Sequence, residues 1–61
     1  MKLLETLEEV TSLVDINKAR FRGVYKDIDT KLPIAQFTIY GTMYGAKWWH
    51  YETATGQKIS L

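Results

Sequence analysis

The fold of this 61-residue chain turns on how Gln36–Leu61, QFTIYGTMYGAKWWHYETATGQKISL, is read. This stretch holds Trp48 and Trp49, three of the four tyrosines, His50 and three of the four glycines. Successive side chains of a β-strand point to opposite faces, so apolar residues two apart mark a buried side. Phe37, Ile39, Gly41 and Met43 share one side of a first predicted strand, with Thr38, Tyr40 and Thr42 on the other. A second predicted strand sets Trp49 and Tyr51 against Trp48, His50 and Glu52, and a third sets Ile59 and Leu61 against Lys58 and Ser60. Ala54-Thr55-Gly56 fits a three-residue hairpin loop, with Gly56 supplying the left-handed position at no steric cost.

The first turn decides the register. A two-residue Tyr44-Gly45 loop sets the apolar residues of the first strand on the face opposite to those of the other two, because a one-residue slip reverses every side chain. A three-residue loop, Tyr44-Gly45-Ala46, brings Phe37, Ile39, Met43, Trp49, Tyr51, Ile59 and Leu61 to one face and is the register expected. Tyr40, Trp48 and His50 then gather on the outer face as an aromatic patch.

The N-terminal half supplies a cover for that sheet. Leu3, Leu7, Val10 and Val14 recur at helical spacing, broadened by Leu4, Leu13 and Ile16, and predict an amphipathic helix over residues 2–18. Thr6 and Glu9 match a capping box, which starts a helix later; the earlier leucines favour the longer helix. Phe21–Ile28 reads as a further strand with Phe21, Gly23 and Tyr25 inward; the other register buries Val24 and Ile28. Residues 29–35, with Pro33, read as the connecting loop. The expected architecture is α+β: one N-terminal amphipathic helix packed on a four-stranded, mainly antiparallel sheet ending in a β-meander, a single domain over residues 1–61.

Composition narrows the functional classes. The hydrophobic fraction of 46% is that of a globular chain, and the absence of cysteine removes disulfides, thiolate metal sites and a cysteine nucleophile. No apolar run reaches the roughly 18 residues of a membrane span and no secretory pattern opens the sequence, so a soluble cytoplasmic domain is expected, with no membrane partner. The net charge of +1 is unevenly placed. Residues 1–17 carry Lys2 against Glu5, Glu8, Glu9 and Asp15, while Arg20, Arg22, Lys26 and the other later cations outnumber the three later carboxylates. Either an anionic partner or internal complementarity between an acidic helix and a basic sheet explains the division.

Catalytic material is sparse. His50 is a predicted cross-strand neighbour of Ser60 and shares a face with Glu52, but a flat sheet offers no desolvated cleft to tune an acid–base pair. One histidine and scattered carboxylates do not make a zinc site, and Gly41 and Gly45 match no phosphate-loop spacing. The chain is therefore expected to be non-enzymatic, without metal or small-molecule cofactor. It reads as a small binding or regulatory module of adaptor or inhibitor type. Its expected partner is a protein or a second copy of itself, held by the aromatic outer face through Tyr40, Trp48 and His50. The alternative is a nucleic acid on the same face, with Arg22, Lys26 and Lys58 around Tyr40 and Trp48.

Two local resemblances accompany this reading. Trp48-Trp49, Thr55-Gly56-Gln57 and Ile59-Ser60 resemble the double tryptophan, hairpin tip and final strand of SH3 domains. The Trp/Tyr segment and Thr-Gly turn also resemble the β-sheet arm-binding domains of phage integrases, in which a helix follows the sheet. Neither assigns a binding residue.

Overall fold

In a computed structural model that describes residues 1–59, the chain is α+β, with two helices and a four-stranded mixed sheet. The elements in order are β1 (Lys2–Leu4), α1 (Leu7–Leu13), β2 (Ala19–Lys26), β3 (Pro33–Ile39), β4 (Thr42–Lys47) and α2 (Trp48–Thr55). The strand order across the sheet is β1-β4-β3-β2; β2, β3 and β4 are antiparallel neighbours, and β1 runs parallel to β4.

The N-terminal helix is shorter than its leucine spacing suggests, and it begins at the later start that Thr6 and Glu9 indicate. Thr6 is the N-cap: its hydroxyl oxygen accepts from the Glu9 backbone N–H at 3.2 Å, satisfying one donor that the first helical turn leaves free. Residues 2–4 pair with Tyr44–Ala46 instead, and strand alternation sends Leu4 into the core and Leu3 outward. The helix stops at Leu13 because Val14 turns extended, and the Asp15 carboxylate and carbonyl collect the next backbone donors, from Asn17, Lys18 and Ala19.

The meander turns earlier than expected. Tyr40 and Gly41 have φ of 51° and 82°, and Ile39 pairs with Thr42 across them. Two positive φ values in a two-residue loop are what a type I′ hairpin needs, its twist matching that of the flanking strands. Tyr44, Gly45 and Ala46, expected as the loop, lie inside β4. Pro33, expected in a loop, opens β3, where a missing N–H is tolerated.

The largest correction is Trp48–Thr55, which is a helix rather than a strand. Gly56 does adopt the left-handed conformation, φ 72°, but as a helix C-cap whose N–H donates to the Glu52 carbonyl at 2.7 Å. A left-handed glycine serves a hairpin and a helix terminus equally well. Thr53 and Thr55 donate their hydroxyls to the carbonyls of Trp49 and Tyr51, four residues back along the helix. Ser60 and Leu61 lie outside the described residues, and with them the expected pairings of Trp49 with Leu61 and of His50 with Ser60.

Both helices cover one face of the sheet. Phe37 and Tyr51 pack with tilted rings at 4.8 Å between centroids, and Leu4, Val10, Ala35, Ile39 and Ala46 complete the buried cluster. Burial pushes the Tyr51 phenol above its ordinary pKa. Trp48 and Ile59 pack on the margin of this core, so the inward tryptophan is Trp48 and the more exposed one is Trp49, reversing the expected pair.

Candidate functional site: the open face of the sheet

The sheet has one face without a helix. Cross-strand register places Arg20, Gly23 and Tyr25 of β2 beside Thr38, Gln36 and Ile34 of β3, and these in turn beside Met43, Gly45 and Lys47 of β4. Leu3 of β1 continues the row from Gly45.

A β-bulge sets what β2 contributes. The pairing steps from Phe21↔Phe37 to Gly23↔Gln36, leaving Arg22 as the extra residue. Strand parity reverses across it. Phe21 lies on the covered side, its ring 5.7 Å from that of Tyr51, whereas Tyr25, expected inward, is on the open face and 54% exposed. Val24 takes the inward parity in its place, as the second register had it, but Ile28, expected to be buried with it, lies past the strand and is 84% exposed.

The six residues expected to form a binding patch do not assemble. Tyr40 sits at the β3–β4 turn, 78% exposed, with the Lys18 ammonium 5.4 Å from its ring centroid. Trp48 and His50 lie in α2 on the covered side of the molecule, and Lys58 follows that helix in the tail. Arg22 is on the bulge, and Lys26 ends β2 at the covered-face parity beside Pro33. His50 packs edge-on to Trp49 at 5.6 Å and keeps a buried Nδ1 without a hydrogen-bond partner. The segment resembling the last strands of SH3 domains is helical through Thr55, which removes that resemblance. A helix does follow the three-stranded meander, as in the integrase domains, but it is formed by the Trp/Tyr residues taken for a strand.

Charge follows the same division as the layers. Strands β2, β3 and β4 carry Arg20, Arg22, Lys26 and Lys47 and no carboxylate; helices α1 and α2 carry Glu8, Glu9 and Glu52 and no lysine or arginine. Glu52, expected on the sheet face, instead accepts the Ile59 backbone N–H at 2.8 Å behind α2. Two carboxylates border the open face, Glu5 just past β1 and Asp27 just past β2, and Asp27 is occupied locally. The Thr30 hydroxyl donates to it at 2.7 Å and, with nearby backbone N–H groups, holds the carboxyl below its ordinary pKa.

Alternation alone pointed to Thr38 as an outward residue; Gln36 was not singled out, and nothing in the sequence marked the bulge that adds Tyr25. Among the described residues, no three His, Cys, Asp or Glu side chains gather as a metal-ligand set, and no helix is long and apolar enough to cross a membrane. The chain matches no known protein family, no curated protein and no solved structure.

Proposed function

We propose that this domain is a non-catalytic module that binds nucleic acid on the open face of its sheet. The observation that carries this reading is the charge division between layers, which leaves Arg20 and Arg22 on or beside an uncovered surface free of strand carboxylates. Cations in such an arrangement neutralise backbone phosphates and release condensed counterions, which supplies affinity with little sequence preference. Tyr25, Gln36 and Thr38 between them offer a stacking ring and hydrogen-bonding groups for bases. The near-neutral whole-chain charge of +1 does not oppose this, because the acidic residues of the helices sit behind the sheet.

The test is a titration of labelled single-stranded and duplex DNA and RNA across a range of salt. Binding that weakens steeply with salt is expected. The Arg20→Ala/Arg22→Ala variant is expected to bind about tenfold more weakly and to lower the salt slope by about two. Absence of binding at low salt to every one of these nucleic acids overturns the proposal.

A second reading, a protein partner or a second copy, is favoured by one observation. Leu3, Ile28 and Leu32 leave apolar surface exposed where the open face meets the β2–β3 loop. Sedimentation of the free protein at increasing concentration tests self-association there.

A further inference from the structure

We propose that Tyr25 and Gln36 form a slot on the open face that takes one unstacked nucleobase, stacked on Tyr25 and read at its edge by the Gln36 amide; this rests on the nucleic-acid reading above. Gln36 lies at the centre of the sheet, and its cross-strand partners on both sides are glycines, Gly23 and Gly45. Neither neighbour puts a side chain of its own beside it, so the flanks of Gln36 are left to residues further along the strands.

Residues further along the strands build the walls. The Tyr25 ring comes within 3.4 Å of where a Cβ on Gly23 would stand, and the Met1 sulfur within 3.0 Å of where one on Gly45 would stand. The hollow between them, about 220 Å³, is lined by Met1, Leu3, Tyr25, Ile28, Ile34 and Gln36, and Lys26 and Asp27 also border it. Pockets for drug-sized ligands run from about 300 to 1,000 Å³, so this one has room for a ring system and little else.

The chemistry of the lining selects among rings. Tyr25 presents an exposed aromatic face, and base–aromatic stacking contributes substantially for any base. Among the described residues no hydrogen bond engages the Gln36 amide, which leaves a donor and an acceptor side by side, the pattern of a base edge. A phenylalanine or leucine side chain would leave that amide unpaired beneath it. Recessed between its walls, Gln36 does not project as a side chain must to reach base edges in a duplex groove, so an unpaired base is the fitting occupant. Asp27, which also borders the hollow, is already bonded to Thr30.

The experiment is fluorescence anisotropy of the full chain with short labelled homopolymers of dA, dC and dT, and with a duplex of equal length. The wild type is expected to favour single strands over duplex and to rank the three homopolymers unequally. Tyr25→Ala is expected to weaken all three about tenfold. Gln36→Ala is expected to erase the ranking with a smaller loss of affinity, and both variants to keep the wild-type melting curve. A ranking that survives Gln36→Ala, or a Tyr25→Ala variant that binds as the wild type, overturns the slot. So does duplex binding as tight as single-strand binding. If Arg20→Ala/Arg22→Ala still weakens binding in those cases, only the slot falls. If the wild type binds none of the probes, the nucleic-acid reading falls with it.

Discussion

The two faces of the sheet are built from the same three central strands and obey different rules. On the covered face three successive positions of β3 are committed: Ala35, Phe37 and Ile39 are buried with Val10 and Tyr51 from the helices. On the open face Gln36 and Thr38, one residue away along the same strand, are half-buried and bounded by glycines, a tyrosine and cations. A core tolerates little change in volume, whereas an open polar face can be altered with small effect on folding. The difference separates residues that hold the fold from residues free to recognise something.

That contrast can be broken by mutation, most severely at Phe37. Its ring is fully buried, stacked on Tyr44 and tilted against Tyr51, so Phe37→Ala is expected to cost about 3–5 kcal/mol. For a domain of this size that is enough to unfold it, as circular dichroism will report. A wild-type melting curve for this variant would mean the covered face is not the core.

The tryptophans sharpen the comparison. Trp48→Ala is expected to cost about 2 kcal/mol because the ring packs on the core margin. Trp49→Ala is expected to cost less than about 1 kcal/mol, since its ring, 37% exposed, meets chiefly Lys47, Trp48 and His50. Paired thermal melts check the order; the reverse order would return Trp49 to the interior and α2 to a strand.

The smallest effect lies where the open face ends. Removing the Thr30 hydroxyl in Thr30→Ala is expected to raise the Asp27 pKa toward its ordinary value, measured by carboxyl-carbon NMR titration. Because the folded pKa is depressed, the stabilisation is present above the unfolded pKa and is lost as pH falls through the folded one. In the variant the acid-side loss of stability therefore shrinks.

Much of the covered face was legible in the sequence. Phe37 and Ile39 alternate inward as read, Val10 lies on the helical stripe, and Tyr51 is buried as expected, although from a helix. Trp48-Trp49-His50-Tyr51 misled because aromatic residues suit a pleated surface and alternation over four residues is weak evidence for a strand. The helical alternative was present in the three-residue step from Trp48 to Tyr51 and the four-residue step from Tyr51 to Thr55, the residues that face inward. Tyr40-Gly41 hid its turn because a tyrosine with positive φ is uncommon and the following glycine was read as a position inside the first strand. The open face was the least legible part. It depends on a bulge at Arg22 that reverses parity within one strand, and the candidate patch was drawn from residues that the turn and α2 carry elsewhere.

The parallel seam between β1 and β4 has a kinetic consequence. The β2–β3 and β3–β4 pairings close short loops, whereas Lys2 must find Tyr44 about forty residues later in the chain, a closure with a larger entropic cost. The three-residue β1 repays that cost with few hydrogen bonds, so it is expected to join last during folding and to exchange its amide hydrogens first in the native state. Leu3 belongs to that seam and also lines the hollow above Gln36, so whatever settles there also fastens the last strand to arrive.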